Sequence, residues 1–165
     1  MLMRSVCLMF CLAIAPAFAL APGARAPEIA GQLMDGGKTL KLSGLRGKVV
    51  YLDFWASWCP PCRVVLPDLA KMHDELAPRG FVVLGVNLDQ NTGQALRLMQ
   101  KAGVKYPNLH GLNEKMLSAW KMSAMPAAYI IDRRGIVRAV HEGFRPSEFA
   151  AMRAQVERIL GDKKK

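Results

Sequence analysis

The hydrophobic positions of the chain form two kinds of pattern, short continuous runs and longer stretches with helical spacing. Continuous apolar runs of about four to eight residues indicate buried strands, and apolar residues three or four positions apart indicate helices. The runs predict strands over residues 29–34, 38–42, 49–55, 81–88, 127–131 and 136–140. The spacing predicts helices from the residues after Cys62 to Leu76, and over 92–102, 114–121 and 147–160. We expect Ser147 to cap the last helix and Gly161 to end it.

The order of these elements predicts an α/β fold. Asp35-Gly36-Gly37 is a turn sequence that would join the first two strands as an extra N-terminal β-hairpin. A strand, a crossover helix and a second strand form a parallel pair with a right-handed connection. The last two strands follow each other closely and would add antiparallel strands. We therefore predict a three-layer sandwich whose mixed central sheet has helices on both faces.

The N-terminal segment has the composition of a signal peptide. Arg4 supplies a positive charge, residues 6–15 are a short apolar run, and Ala17-Phe18-Ala19 offers the small residues that signal peptidase requires. The predicted divisions are a signal peptide at 1–19, a linker rich in Ala, Pro and Gly at 20–26, and one domain at 27–165. An uncleaved N-terminal membrane anchor is the alternative. We expect the domain to be exported to the periplasm.

The cysteine count depends on that cleavage. Of the four cysteines, Cys7 and Cys11 lie within the predicted signal peptide, so the mature domain would retain only Cys59 and Cys62. A single CxxC is not a disulfide framework that could hold a fold together. Half of a zinc site is the other interpretation, but there is no second CxxC and the three histidines are not spaced as a ligand pair. We expect a chemically active pair, with no metal and no cofactor.

The net charge of the chain is +10. A basic chain of this kind suits an anionic partner or membrane surface. No segment combines dense Lys and Arg with interleaved aromatic residues, so we expect no nucleic-acid partner, and the three lysines at 163–165 indicate a solvated tail. The charge then predicts no more than weak association with an anionic membrane surface.

The two cysteines lie in Trp58-Cys59-Pro60-Pro61-Cys62, directly after an apolar run. Proline is favoured in the first turn of a helix because its missing N–H would have no partner there, so Pro60 and Pro61 place Cys59 at a helix N-terminus. The unpaired amides and the macrodipole at that end favour the thiolate, which is the nucleophilic form. We expect Cys59 to attack a disulfide and Cys62 to resolve the resulting mixed disulfide.

Asp53 interrupts the apolar run 49–55, on the strand face that also carries Tyr51 and Trp55. A carboxylate there costs free energy unless it is paired or protonated. One interpretation is a buried acid with a raised pKa that exchanges protons with Cys62. The other is a solvated carboxylate at the end of a strand.

Met125-Pro126 precedes the predicted strand at 127–131. An X-Pro bond is the one peptide bond for which the cis form costs little, and its spacing in the chain leaves cis and trans open. A cis turn beside the CxxC would expose the backbone of residue 125 for strand-like pairing with a substrate.

These residues resemble the thioredoxin superfamily, and within it the TlpA/ResA-like group of exported reductases, over residues 26–160. The most specific part of the resemblance is Asp53-Phe54-Trp55-Ala56-Ser57-Trp58-Cys59-Pro60-Pro61-Cys62, followed by Pro67. The segments at 42–50 and 125–132 are similar to the N-terminal extension and the cis-proline segment of this group. The resemblance implies a thioredoxin-like fold, a cis bond at Pro126 and a proton-carrying Asp53. It also implies a substrate-binding surface at Trp58, Pro60, Pro61, Met125 and Pro126.

Two positions depart from the group. Many members have Asn where this chain has Asp53, although Asp is the residue of thioredoxin itself. Many have a small polar residue after the cis-proline, and the cytochrome c maturation branch often has an acid there, where this chain has Ala127. Met125 and Ala127, on either side of this proline, bear on substrate preference and redox potential.

The resemblance implies a periplasmic reductase with protein thiols and disulfides as substrates and a membrane thiol-reductant transporter as electron donor. A disulfide oxidase or isomerase would use the same cysteines and differ in reduction potential, over a range of about −270 to −120 mV. A copper or thiol chaperone on the same fold is the third hypothesis, with Met125 as a further soft ligand. A peroxidase would need a resolving arrangement other than the CxxC. The sequence leaves open the direction of electron flow, the substrate protein and the oligomeric state.

Overall fold

Seven strands form one mixed sheet in the computed structural model of the chain, which describes residues 20–162. The strands are β1 (Ala30–Leu33), β2 (Thr39–Lys41), β3 (Val49–Trp55), β4 (Phe81–Asn87), β5 (Asn108–His110), β6 (Ala127–Ile131) and β7 (Val137–Glu142). The helices are α1 (Pro60–Leu76), α2 (Gly93–Lys101), α3 (Glu114–Ser118) and α4 (Phe149–Gly161). Short 3-10 turns occupy Leu42–Leu45, Ala77–Arg79 and Pro146–Glu148.

The strand order across the sheet is β2-β1-β5-β4-β3-β6-β7. Strands β3, β4 and β5 run parallel because α1 and α2 carry the chain back between them. The remaining pairs are antiparallel. Every residue of β3 and β4 is buried, as expected for central strands covered on both faces. This arrangement confirms the predicted thioredoxin-like α/β fold with a mixed sheet.

The two faces of the sheet carry separate hydrophobic cores, because successive side chains of a strand point to opposite sides. On one face Tyr51 and Trp55 of β3 pack with apolar residues of α1, α2 and α4. On the other face Leu52 and Phe54 pack with residues of the N-terminal segment and with Leu117 of α3. Helices therefore cover both faces, as predicted, with the three longer ones on the first.

The predicted N-terminal hairpin is present. Strands β1 and β2 pair antiparallel, with Ala30 opposite Lys41. The turn between them is closed by Gly37, whose N–H donates to the Asp35 carboxylate at 2.8 Å. Gly36 has a φ of +80°, a left-handed conformation that glycine adopts without steric cost.

Part of the predicted linker packs along the start of β7. The Gly23 N–H donates to the Val137 carbonyl at 2.8 Å, and the Val137 N–H donates to the Ala24 carbonyl at 2.9 Å. The predicted signal peptide at 1–19 and the lysines at 163–165 lie outside the described residues. Within residues 20–162, no helix has both the length and the apolar character needed to cross a membrane.

Three local predictions were wrong. Strand β5 was not predicted, since only Leu109 is apolar among its three residues. Helix α3 ends at Ser118, before the predicted residue 121. Ser147 does not cap α4, because it lies inside a 3-10 turn that leads directly into the helix, and Glu148 is the N-cap without a side-chain hydrogen bond. Gly161 is the last residue of α4, and Asp162 is its C-cap.

Candidate active site

The cysteine pair lies at the start of α1, just beyond the carboxyl end of β3. Cys59 is the N-cap of α1, with an extended backbone at φ −95° and ψ 105°, and Pro60 and Pro61 form the first turn. This is the predicted placement, and it follows from the ability of proline to occupy helix positions whose N–H has no partner. A disulfide joins Cys59 to Cys62 across a Cα–Cα distance of 5.3 Å.

The two sulfur atoms differ in access. The Cys62 side chain is completely buried, whereas Cys59 keeps 4% of its surface exposed. The Cys62 N–H points at the Cys59 sulfur from 3.3 Å, so an unpaired amide of the first helical turn faces that atom. A negative charge on the Cys59 sulfur would be stabilised by this amide and by the helix macrodipole. Cys59 is therefore the more accessible of the two sulfur atoms and the one that faces a helix amide.

Asp53 lies in the middle of β3 and is 1% exposed. Its Oδ2 atom has no hydrogen-bond partner among the described residues. Burial raises its pKa from 3.8 to about 7, because the charged form loses its hydration. The interpretation of a solvated carboxylate at a strand end is therefore wrong. A buried acid with a pKa near neutrality can take up and release protons at ordinary pH.

Two buried tyrosines share the surroundings of Asp53. Burial first, and then the charge of Asp53, raise the pKa of Tyr51 and of Tyr106 well above the ordinary value. Both hydroxyls therefore stay neutral wherever Asp53 titrates. The Tyr106 hydroxyl, like Asp53 Oδ2, has no hydrogen-bond partner among the described residues.

Asp53 belongs to a row of paired residues that crosses three neighbouring strands. Asp53 of β3 is in register with Gly85 of β4, which is in register with Asn108 of β5. The Asn108 carboxamide occupies the space above Gly85, so a methyl group on Gly85 would overlap it. The carboxamide oxygen accepts from the Trp55 indole N–H at 2.8 Å, and its NH2 group donates to the Tyr106 carbonyl at 3.0 Å. Glycine at position 85 thus makes room for a buried polar link beside Asp53.

The loop that carries Trp58 is hydrogen-bonded to the segment at the end of β4. The Ser57 N–H and hydroxyl donate to the Asp89 carboxylate at 2.8 and 2.6 Å. The Asn87 side chain donates to the same carboxylate at 2.6 Å. Trp58 itself is 64% exposed. The segment between β3 and α1 is therefore held at its base, and an unusually exposed indole lies next to Cys59.

Met125 and Pro126 complete the set of predicted site residues. Their peptide bond is cis, as predicted from the resemblance. Met125 is half-buried and packs against the core cluster that contains both cysteines. The structure thus brings the predicted surface residues to the same end of the sheet as the cysteine pair.

Four polar residues of this region were not predicted from the sequence: Ser57, Asn87, Asp89 and Asn108. Asn87 is the last residue of the buried parallel strand β4, and Asp89 follows it. Polar side chains at the carboxyl ends of parallel strands gather at one edge of a sheet. That position could have identified them. Asn108 could not have been identified, because β5 is too short to be recognised.

Two of the three histidines, His73 and His141, have side-chain hydrogen-bond partners. His73 accepts the Val83 N–H at 3.2 Å, and His141 lies 2.8 Å from the Gln155 side-chain oxygen. Among residues 20–162, no group of three or more His, Cys, Asp or Glu side chains is arranged to hold a metal ion.

Known proteins are similar to this chain in sequence, and solved structures are similar to it in fold. The sequence profile of the AhpC/TSA family matches residues 22–140. The thiol-disulfide oxidoreductase ResA of Bacillus subtilis is 31% identical over 107 residues, covering 65% of this chain and 60% of that protein. The thioredoxin-like protein YneN of Bacillus subtilis is 30% identical over 125 residues, covering 73% of this chain and 71% of YneN. A Chlorobium tepidum structure, described as a thiol:disulfide interchange protein DsbE, is 37% identical with a TM-score of 0.80, covering 86% of this chain and 99% of that one.

Proposed function

The chain belongs to the AhpC/TSA family, and on that premise we propose that it is a thiol–disulfide oxidoreductase that reduces protein disulfides through Cys59 and Cys62. The names of its relatives support thiol–disulfide chemistry, since they include ResA and a DsbE-type interchange protein. The observation that carries the proposal is the position of Cys59. It is the N-cap of α1 and the more exposed member of a pair that already forms a disulfide.

The first step begins with both cysteines reduced. The Cys59 thiolate attacks one sulfur of the substrate disulfide, a Cys59–substrate mixed disulfide forms, and the other substrate sulfur leaves as a thiolate that takes a proton. The Cys62 amide, 3.3 Å from the Cys59 sulfur, supports the attacking thiolate. The burial of Cys62 leaves Cys59 as the sulfur that meets the substrate.

The second step releases the substrate. The Cys62 thiolate attacks the Cys59 sulfur of the mixed disulfide, the Cys59–Cys62 disulfide forms, and the second substrate sulfur leaves as a thiol. Two electrons have then passed from the protein to the substrate. Asp53, with a pKa of about 7, acts as the buried base that accepts the Cys62 proton.

The residues around Cys59 would contact the substrate. Trp58 and Pro60 are exposed beside it, Pro61 is half-buried, and Met125 borders the core cluster of the cysteines before the buried Pro126. A substrate polypeptide would lie across these side chains while its disulfide meets the Cys59 sulfur.

The proposed location is the periplasm, with electrons supplied by a membrane dithiol protein. The N-terminal composition supports export, and the reaction needs an external reductant to convert the Cys59–Cys62 disulfide back to two thiols. The predicted membrane thiol-reductant transporter would supply those two electrons by the same exchange chemistry in reverse.

Cysteine substitutions test the mechanism directly. We expect Cys59→Ser to abolish reduction of insulin disulfides, because the accessible nucleophile is lost. We expect Cys62→Ser to accumulate mixed disulfides with substrate proteins, because the resolving sulfur is lost. Turbidity of reduced insulin and non-reducing gel electrophoresis measure the two outcomes. Full insulin reduction by Cys59→Ser would mean that the proposed mechanism is wrong.

A further inference from the structure

A groove between α1 and α2 opens beside the cysteine pair. It holds about 510 Å³ and is lined by residues of both helices. Residues that line it include Pro60, Arg63, Val64, Pro67, Leu98 and Lys101. Pro60, which directly follows Cys59, forms the end nearest to the disulfide, and Lys101 lies at the last turn of α2. A chain lying in the groove would therefore run away from Cys59 along α1.

Much of the groove surface is apolar. Leu66 forms part of it from the buried side of α1, and Leu98 faces it from α2. Val64 is 54% exposed, whereas the other aliphatic side chains of α1 are buried. With Pro60 and Pro67 it forms a contiguous apolar surface rather than an isolated exposed residue. An exposed apolar surface of this kind, next to a reactive disulfide, is typical of a binding site for another polypeptide.

Two cations flank that apolar surface. Arg63 and Lys101 are both exposed, and within residues 20–162 neither has an ion-pair partner and no acidic side chain lines the groove. By contrast, Lys105, just beyond α2, is paired with Asp74 at 3.3 Å. The groove beside the disulfide thus has positive charge that the protein does not neutralise. A partner with carboxylates would complement it.

We propose that the groove binds substrate polypeptides through a segment that combines acidic and apolar residues next to the substrate disulfide. The apolar residues of the segment cover Val64 and its neighbours, and its carboxylates pair with Arg63 and Lys101. Trp58, which directly precedes Cys59 and is 64% exposed, lies outside the groove lining and contacts the substrate beside the disulfide. This proposal rests on the proposed function and adds to it the class of polypeptide that is reduced.

The test compares three disulfides with the fully reduced protein. One is hydroxyethyl disulfide, which is small and uncharged. The other two are peptides with the same disulfide and the same leucines, one flanked by glutamates and one by lysines. We expect the glutamate peptide to be reduced faster than the lysine peptide by about tenfold, the order expected for two partly exposed ion pairs. Each peptide rate is divided by the hydroxyethyl disulfide rate of the same variant, which removes effects on the reactivity of Cys59.

Matched charge variants separate the groove from the net charge of +10. We expect Arg63→Gln with Lys101→Gln to reduce the normalised preference for the glutamate peptide to about twofold. The control is Lys38→Gln with Arg79→Gln, which removes the same charge at the hairpin and at the far end of α1. We expect the control to keep the preference within a factor of about two of the wild type, because both sites are remote from the groove.

A second matched pair tests the apolar contact. We expect Val64→Ser to lower the normalised rates of both peptides, and Leu96→Ser to leave them unchanged, because Leu96 is 40% exposed on α2 but does not line the groove. Circular dichroism checks that all variants are folded.

Three outcomes would contradict these proposals in distinguishable ways. No preference for the glutamate peptide in the wild type would overturn the groove proposal. Equal loss of the preference in the control pair would also overturn it, since net charge alone would then attract the peptide. Failure of the wild type to reduce any of the three disulfides would instead overturn the proposed function.

Discussion

The burial of Asp53 decides how the site handles protons. The sequence places this acid in an apolar strand, and the pattern alone leaves two interpretations, buried or solvated. The choice depends on what covers the strand, because a carboxylate keeps its ordinary pKa wherever water reaches it. The structure covers it with α1 and a neighbouring strand on each side, and its pKa rises to about 7.

This burial predicts a particular dependence of stability on pH. An acid with a raised pKa binds more protons in the folded than in the unfolded state, so the free energy of unfolding falls as pH rises from about 4 to about 7. Asp53→Asn removes that penalty. We expect the free energy of unfolding of the variant to exceed that of the wild type by about 2 to 4 kcal/mol at pH 8, and by far less at pH 4. Urea unfolding at both pH values measures this.

The matched control is Asp68→Asn, which changes an exposed acid on α1 and should leave the pH dependence of wild-type stability intact.

The Asp53→Asn variant also tests catalysis. We expect resolution of the mixed disulfide to slow by about tenfold or more above pH 7, where Asp53 is ionised and can accept the Cys62 proton, and much less below it. Stability and resolution curves that both parallel the wild type would contradict a buried, proton-accepting Asp53.

At the scale of elements, strand β3 and helix α1 are predictable because their signals are local. The apolar run 49–55, interrupted only by Asp53, matches β3, and the two prolines after Cys59 mark the start of α1. Strand β5 lacks such a local signal. It is a three-residue strand that pairs with β4 on one side and β1 on the other, so it depends on long-range partners. The link of Asn108 to Trp55 depends on β5 and was therefore beyond prediction as well.

That link gives a prediction for Gly85. We expect Gly85→Ala to destabilise the protein by about 1 to 3 kcal/mol, because the new methyl group displaces the Asn108 carboxamide and leaves the Trp55 indole N–H without a partner. Thermal or urea unfolding measures the loss.

The control for this prediction is Gly44→Ala, since a methyl group at Gly44 meets no atom of residues 20–162 within 4 Å. We expect that change to alter stability by less than about 1 kcal/mol. In an Asn108→Ala background, Gly85→Ala should cost much less than in the wild type. Equal losses at Gly85 and Gly44 would show that the space above Gly85 is not filled as described.

At the scale of the whole molecule, the fold brings the candidate site residues together at one end of the sheet. The parallel strands β3 and β4 end at Trp55 and Asn87, and the segments that follow them carry the cysteine pair and Asp89. Helix α2 forms one side of the groove with Leu98 and Lys101, and α1 forms the other side with Arg63 and Val64. The sequence predicts this end through the CxxC and its strand. The groove depends on the packing of two helices, which no local pattern encodes.

The central claim is that the Cys59–Cys62 pair gives electrons to substrates, and its resting state in cells tests this most directly. Cells that produce the full chain are quenched in acid, free thiols are coupled to a reagent that adds mass, and the protein is resolved by electrophoresis. Double and single cysteine variants mark the positions of each state. We predict that most of the protein carries two added groups at Cys59 and Cys62, because a reductase is held as the dithiol by its donor. A pair found almost entirely as the disulfide would contradict the proposed direction of electron flow.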